Sequence, residues 1–76
     1  MLGDQLGFVM DLTWWDVHGV AYVDITVVYK DRSVETARLG GESLPDGLAV
    51  GDEVLVSKAV NMIVAVRRAD PEVPVP

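Results

Sequence analysis

The chain has 76 residues, half of them hydrophobic, with twelve acidic against six basic side chains and no cysteine. Its formal charge of −6 argues against a phosphate-tracking nucleic-acid binder or a ligand of anionic membranes, both of which draw affinity from Lys and Arg. Disulfides and thiolate metal sites are excluded, and no apolar run approaches the about 18 residues that span a bilayer.

The elements follow from alternation and turn chemistry. Leu6, Phe8, Met10, Leu12 and Trp14 alternate with Gly7, Val9, Asp11, Thr13 and Trp15, a period of two that predicts a strand. Asp16-Val17-His18-Gly19 then supplies a turn, with Gly19 free to take a positive φ. The run from Val20 to Lys30 is the clearest strand, with Ala21, Val23, Ile25, Val27 and Tyr29 on one apolar face. A tight turn near Asp31-Arg32 leads to a shorter, more polar strand, Val34 to Leu39. Glu35, Arg38 and Lys30 suit it to a sheet edge, where charge discourages pairing with strangers.

Gly40-Gly41 ends that strand. One helical turn over Glu42-Ser43-Leu44 is expected before Pro45-Asp46-Gly47 breaks the chain. Strands then run from Glu53 to Lys58 and from Met62 to Arg68. Met62, Val64 and Val66 share one face of the last, and Ile63 and Ala65 the other, which predicts a strand covered on both sides. Residues 1–68 therefore form one domain, and 69–76, which hold three of the four prolines, a poorly ordered tail. Five strands, short loops and no long helix predict an all-β fold. The expected architecture is a small five-stranded barrel of the oligonucleotide/oligosaccharide-binding (OB) or SH3-like kind. Ordering each residue costs roughly 1.5 kcal/mol, which offsets most of the gain from apolar burial in so short a chain. An oligomer sharing its sheet edges is one answer to that deficit. Met1-Leu2-Gly3-Asp4 lacks the basic start of a secretion signal, so the cytoplasm is the default compartment.

Candidate chemistry is sparse. Ser33, Ser43 and Ser57 have no recognisable activating base, and the one histidine, His18, sits in a turn beside Asp16 without metal-ligand spacing. Asp52 and Glu53 point to opposite sides of a strand and cannot share a proton. A non-enzyme is expected, with no metal. Trp14 and Trp15 are adjacent and point to opposite faces, one capping the core and one at the rim. With Tyr22 they are the expected contact residues for a protein partner or a homo-oligomer. Trp15 and Tyr22 could also stack single-stranded nucleic acid, but the basic groove of such platforms is missing. Lys58, Arg67 and Arg68 are expected to be solvated at hairpin ends. If a small anion binds, Lys58 at its corner is the residue to hold it.

Gly7-Phe8-Val9, Gly19-Val20, Val23-Asp24-Ile25, Thr36-Ala37 and Ser43-Leu44 lead up to Gly51-Asp52-Glu53-Val54, Lys58-Ala59 and Met62-Ile63-Val64-Ala65-Val66. Over Gln5 to Val66 this pattern resembles the TOBE/molbindin-like domains, small OB barrels found as molybdate-binding proteins and as appendages of transporter ATPases and molybdate-responsive regulators. The resemblance is best from Gly51 to Val66. It implies an oxyanion such as molybdate held between subunits, with Ser57, Lys58 and Ser43 as the residues carried over. Gly3-Asp4-Gln5 stands where that family has a Ser/Arg/Asn-type segment, and Trp14-Trp15-Asp16 has no counterpart. Two readings result: a non-catalytic interaction or assembly module, and a small-oxyanion binder at a subunit interface. Nucleic-acid binding is a third and weaker one.

Overall fold

Alternation becomes one antiparallel sheet in the computed structural model, which describes residues 2–69. Its strands are β1 (Leu2–Val17), β2 (Val20–Tyr29), β3 (Val34–Gly40), β4 (Glu53–Ala59) and β5 (Met62–Arg68), with a 3-10 turn at Gly41–Ser43. The spatial order is β3-β2-β1-β4-β5. No ladder joins β3 to β5 among the described residues, so the expected barrel is present as an open five-stranded sheet. The expected tail, from residue 70 onward, lies outside the described residues.

The turns explain the order. Val17 pairs with Val20 across the two-residue loop His18-Gly19, and both loop residues have positive φ, 52° and 81°. That is the type I′ geometry whose twist matches the flanking strands. The β2–β3 turn places Arg32 at φ 74°, with the Tyr29 and Arg32 amides donating to the Ser33 and Tyr29 carbonyls. The β4–β5 turn places Val60 at φ 63°.

The core lies on the inner face of the coiled sheet. Val9, Val23, Ile25, Val27, Val54 and Val56 are almost fully buried, with Tyr29, Leu39, Leu44, Ile63 and Val66 around them. Two departures from the sequence reading concern faces. A bulge between Val9 and Asp11 inserts one residue into β1, so Leu6, Phe8 and Met10 face outward while Leu12 and Trp14 lie on the core side of the sheet. In β5 an irregularity opposite Ser57 and Lys58 turns Ile63 and Val66 inward together. Met62 and Val64 are left exposed, so β5 is covered on one side only. In both places an extra residue shifts the parity that strict alternation assumes.

On the inner face of the sheet, Lys58 of β4 reaches Glu35 of β3 at 2.9 Å, and the Tyr29 hydroxyl donates to the same carboxylate at 2.8 Å. Burial pushes the Glu35 carboxyl up, but hydrogen bonds from Lys58 and Tyr29 outweigh it and hold the group below its ordinary value. Burial, with the Glu35 contact second, raises the Tyr29 phenol. On the loop before β4, the Asp52 carboxylate accepts from the Ala49 amide and from Arg68, while Arg68 also donates to the Asp46 carbonyl. These bonds hold the Asp52 carboxyl below its ordinary value, the Ala49 amide contributing most, and they pin the loop to the end of β5.

Candidate interaction site

β1 is too long for its neighbours. Its first part, through Phe8, is paired with β4, and the loop continues that edge by two bonds at Val9, which donates to Asp52 and accepts from Gly51. Beyond the bulge, from Asp11 to Val17, β1 pairs with β2 alone. Among the described residues no backbone hydrogen bond reaches its other edge there. β3 follows β2 only as far as Tyr22, opposite Gly40. The end of the β1–β2 hairpin therefore projects as a two-stranded arm.

Apolar side chains occupy both faces of that arm. Trp14 and Trp15 are 52% and 47% exposed, and Val17 and Val20 are about half exposed as well. Trp15 and Tyr22 are register partners on the outer face, while Trp14 sits opposite Val23 on the core side. The Trp14 ring packs near Gly41 and caps the end of the core. The expected split of the two tryptophans between faces is present, and both remain largely open to solvent.

Trp15 is held by polar contacts. Its indole Nε1 donates to Asp24 at 3.0 Å, and Arg38 grips the same carboxylate through two bonds of 2.8 and 3.0 Å. The guanidinium lies 5.5 Å from the centre of the Trp15 ring, within the range of a cation–π contact. The Arg38 bonds, then the Trp15 bond, hold the Asp24 carboxyl below its ordinary value, and Asp24 in turn raises Arg38. A tryptophan fixed in place before any encounter loses little rotamer freedom on binding.

The residues proposed for an anion are arranged differently. Ser57 and Lys58 are neighbours on β4 and point to opposite faces. The Ser57 hydroxyl donates to Asp4 at 3.0 Å, and Arg67 pairs with the same carboxylate at 2.7 Å. Lys58 is engaged by Glu35, and Ser43 ends the 3-10 turn. Lys58, Arg67 and Arg68 are thus all ion-paired; Arg67 and Arg68 remain solvent-exposed as expected, while Lys58 is mostly buried. An oxyanion at Ser57 or Lys58 meets a carboxylate beside each donor, so the donor set does not suit one. No group of three His, Cys, Asp or Glu side chains among the described residues is placed to hold a metal ion. No described helix is long and apolar enough to cross a membrane.

No family model, curated protein or solved structure matches the chain. The geometry alone must therefore carry the functional reading.

Sequence reasoning singled out Trp14, Trp15 and Tyr22 but not the residues that contact Trp15, Asp24 and Arg38, nor the exposed pair Val17 and Val20. A signal for them existed. Counting outward from the His18-Gly19 loop sets Val17 against Val20, Trp15 against Tyr22 and Thr13 against Asp24. The partners Asp4 and Glu35 had no comparable local signal, because they lie far in sequence from Arg67 and Lys58.

Proposed function

We propose that this protein is a non-catalytic interaction module that docks through the projecting β1–β2 arm, with Trp14, Trp15 and Tyr22 as its anchors. The observation that carries the reading is an arm paired on one side only, bearing half-exposed tryptophans on both faces. Trp and Tyr concentrate binding energy at the centres of interfaces, and a sheet of this size does not need two of them outside its core.

We also read the open sheet as a small barrel of the OB kind. In the order β3-β2-β1-β4-β5, closure would join β3 to β5, and Lys58 to Glu35 already ties β4 to β3 across the inside. The likeness to TOBE/molbindin-like domains extends to this fold proposal and not to their ligand.

A photoreactive benzophenone amino acid tests the docking reading when placed at Val20 on the arm or at Val50 off it, both exposed. Irradiation in cells is expected to yield a discrete adduct from position 20 and none from position 50. Equal labelling at both, or none at either, would defeat the reading.

A further inference from the structure

The arm's faces can bind many things, but its edge is more selective. In the antiparallel β1–β2 ladder, residues alternate between pointing their backbone groups at the partner strand and pointing them away. Val17 and Val20 flank the two-residue loop and bond to one another, so Trp15, Thr13 and Asp11 are likewise turned toward β2. The amides and carbonyls of Leu12, Trp14 and Asp16 therefore point at the free edge, where no backbone group among the described residues meets them. Folded proteins usually blunt such an edge with Lys, Pro or a bulge in its middle. Asp11 to Val17 has no Lys and no Pro, and its bulge and its two charges sit toward the ends.

We propose that a second copy of this chain occupies that edge, β1 against β1, about a two-fold axis at Trp14. The idea rests on the docking reading above and names its partner. Two identical antiparallel strands related by a two-fold axis form the simplest self-complementary contact. With the axis at Trp14, Trp14 pairs with the same residue of the second copy, and Leu12 of each copy pairs with Asp16 of the other. Every outward amide and carbonyl of both strands is then bonded. An axis at Thr13 or Trp15 leaves Asp16 or Leu12 without a partner inside the free stretch, and a register between residues sets outward groups against inward ones.

Charge selects the same register. Asp16 lies opposite Leu12, Asp11 lies opposite Val17, and no two carboxylates face each other across the axis. A pairing that set Asp11 against Asp16 would oppose like charges directly, which destabilises a sheet. On the core side the two Trp14 rings meet at the axis, and on the outer side each Trp15 faces Thr13 of the other copy. Each copy carries a formal charge of −6, so screening by salt should strengthen this contact, the reverse of one driven by opposite charges.

Sedimentation equilibrium of the full chain tests the pairing, with Val17→Asp and Val17→Lys as probes because Val17 is exposed in the single chain. Val17→Asp puts a carboxylate opposite Asp11 at each end of the pairing and should weaken the dimer roughly tenfold, while Val17→Lys should strengthen it by a similar factor. Circular dichroism of both variants checks that the sheet is intact. A dimer indifferent to both substitutions would use another surface and would overturn the proposal. A monomer at all concentrations would overturn it too, and the benzophenone at position 20 then separates the two failures. An adduct of foreign mass leaves the docking arm standing without self-pairing, and no adduct removes both.

Discussion

The two halves of β1 differ in one respect that decides everything else about them. The first half ends as the central strand of the sheet, with β4 on one side and β2 beginning on the other, and its inward residues Gly7 and Val9 are buried. The second half has one neighbour, and its tryptophans stay half exposed. Apolar character is similar in both. On the core side burial follows the number of flanking strands, Gly7 and Val9 being covered and Trp14 not, whereas outward Phe8 in the first half is as exposed as Trp15 in the second.

Substitutions in the core and on the arm should sharpen that contrast. Ile25→Ala, beneath the sheet's centre, removes a fully buried side chain and should cost about 2–5 kcal/mol, enough to unfold a marginal domain. Trp15→Ala on the arm should cost about 1–2 kcal/mol in urea unfolding, because half of its surface is already in water and its contacts to Asp24 and Arg38 are exposed. A stability loss at Trp15 equal to that at Ile25 would mean the arm belongs to the core after all.

Gly7→Ala comes next in size. A Cβ there would lie 2.6 Å from the Val27 Cγ1 and 3.0 Å from the Val28 carbonyl oxygen, and the backbone oxygen cannot turn aside. Overpacking of this kind costs about 1–3 kcal/mol. Thr13→Val on the arm should be nearly silent by the same urea unfolding, since Thr13 is exposed.

The contrast was half legible in the sequence. Period-two runs and the Gly-containing turns located all five strands, and the alternation of Val23, Ile25 and Val27 named the centre of the core. Neither bulge left a mark. Met10 looks like any apolar member of an alternating run, and only the register shift shows that Phe8 and Leu12 face opposite sides. The pairing of β1 with β4 was also hidden, because it joins residues some fifty positions apart, as Asp4 and Ser57 are. Without that pairing nothing showed where β4 stops, and hence that the edge of β1 from Asp11 onward is free. The tryptophans themselves were visible, and the reason they are exposed was not.

The inner face of the sheet offers a smaller test. Lys58 and Glu35 are each about three-quarters buried at the side chain, so Glu35→Gln should cost about 1 kcal/mol by weakening a charge-assisted contact. Its pH dependence has a defined sign. Glu35, Asp24 and Asp52 are all held below their ordinary values in the folded state. Their contribution is therefore complete above the unfolded values, near pH 4, and is lost as pH falls through the lower folded ones. Tyr29 is raised, so its contribution is present below about pH 10, the unfolded value, and is lost above it. Chemical denaturation across pH should give a plateau between these limits, and Glu35→Gln should flatten its acid side. An unchanged acid limb in that variant would remove Glu35 from the account.

The smallest effect concerns the other exposed hairpin. His18 and Gly19 suit the arm's turn, but Val60 holds φ 63° at the tip between β4 and β5 with 82% of its surface exposed. A β-branched residue in the left-handed region is strained by about 1–2 kcal/mol. Asn61 is not in that region, so the positive φ falls on the first loop residue alone, the position where a type II′ hairpin takes Gly. Val60→Gly relieves the strain and adds some unfolded-state entropy, for a net gain of about 0.5–1 kcal/mol, or roughly 2–8 °C in Tm for a chain of this length. The same substitution should leave the sedimentation behaviour untouched, because this tip lies off the arm. If Val60→Gly lowered stability, the valine would be making a contact that compensates its strain; if it altered association, the docking surface would extend beyond the arm to a second hairpin.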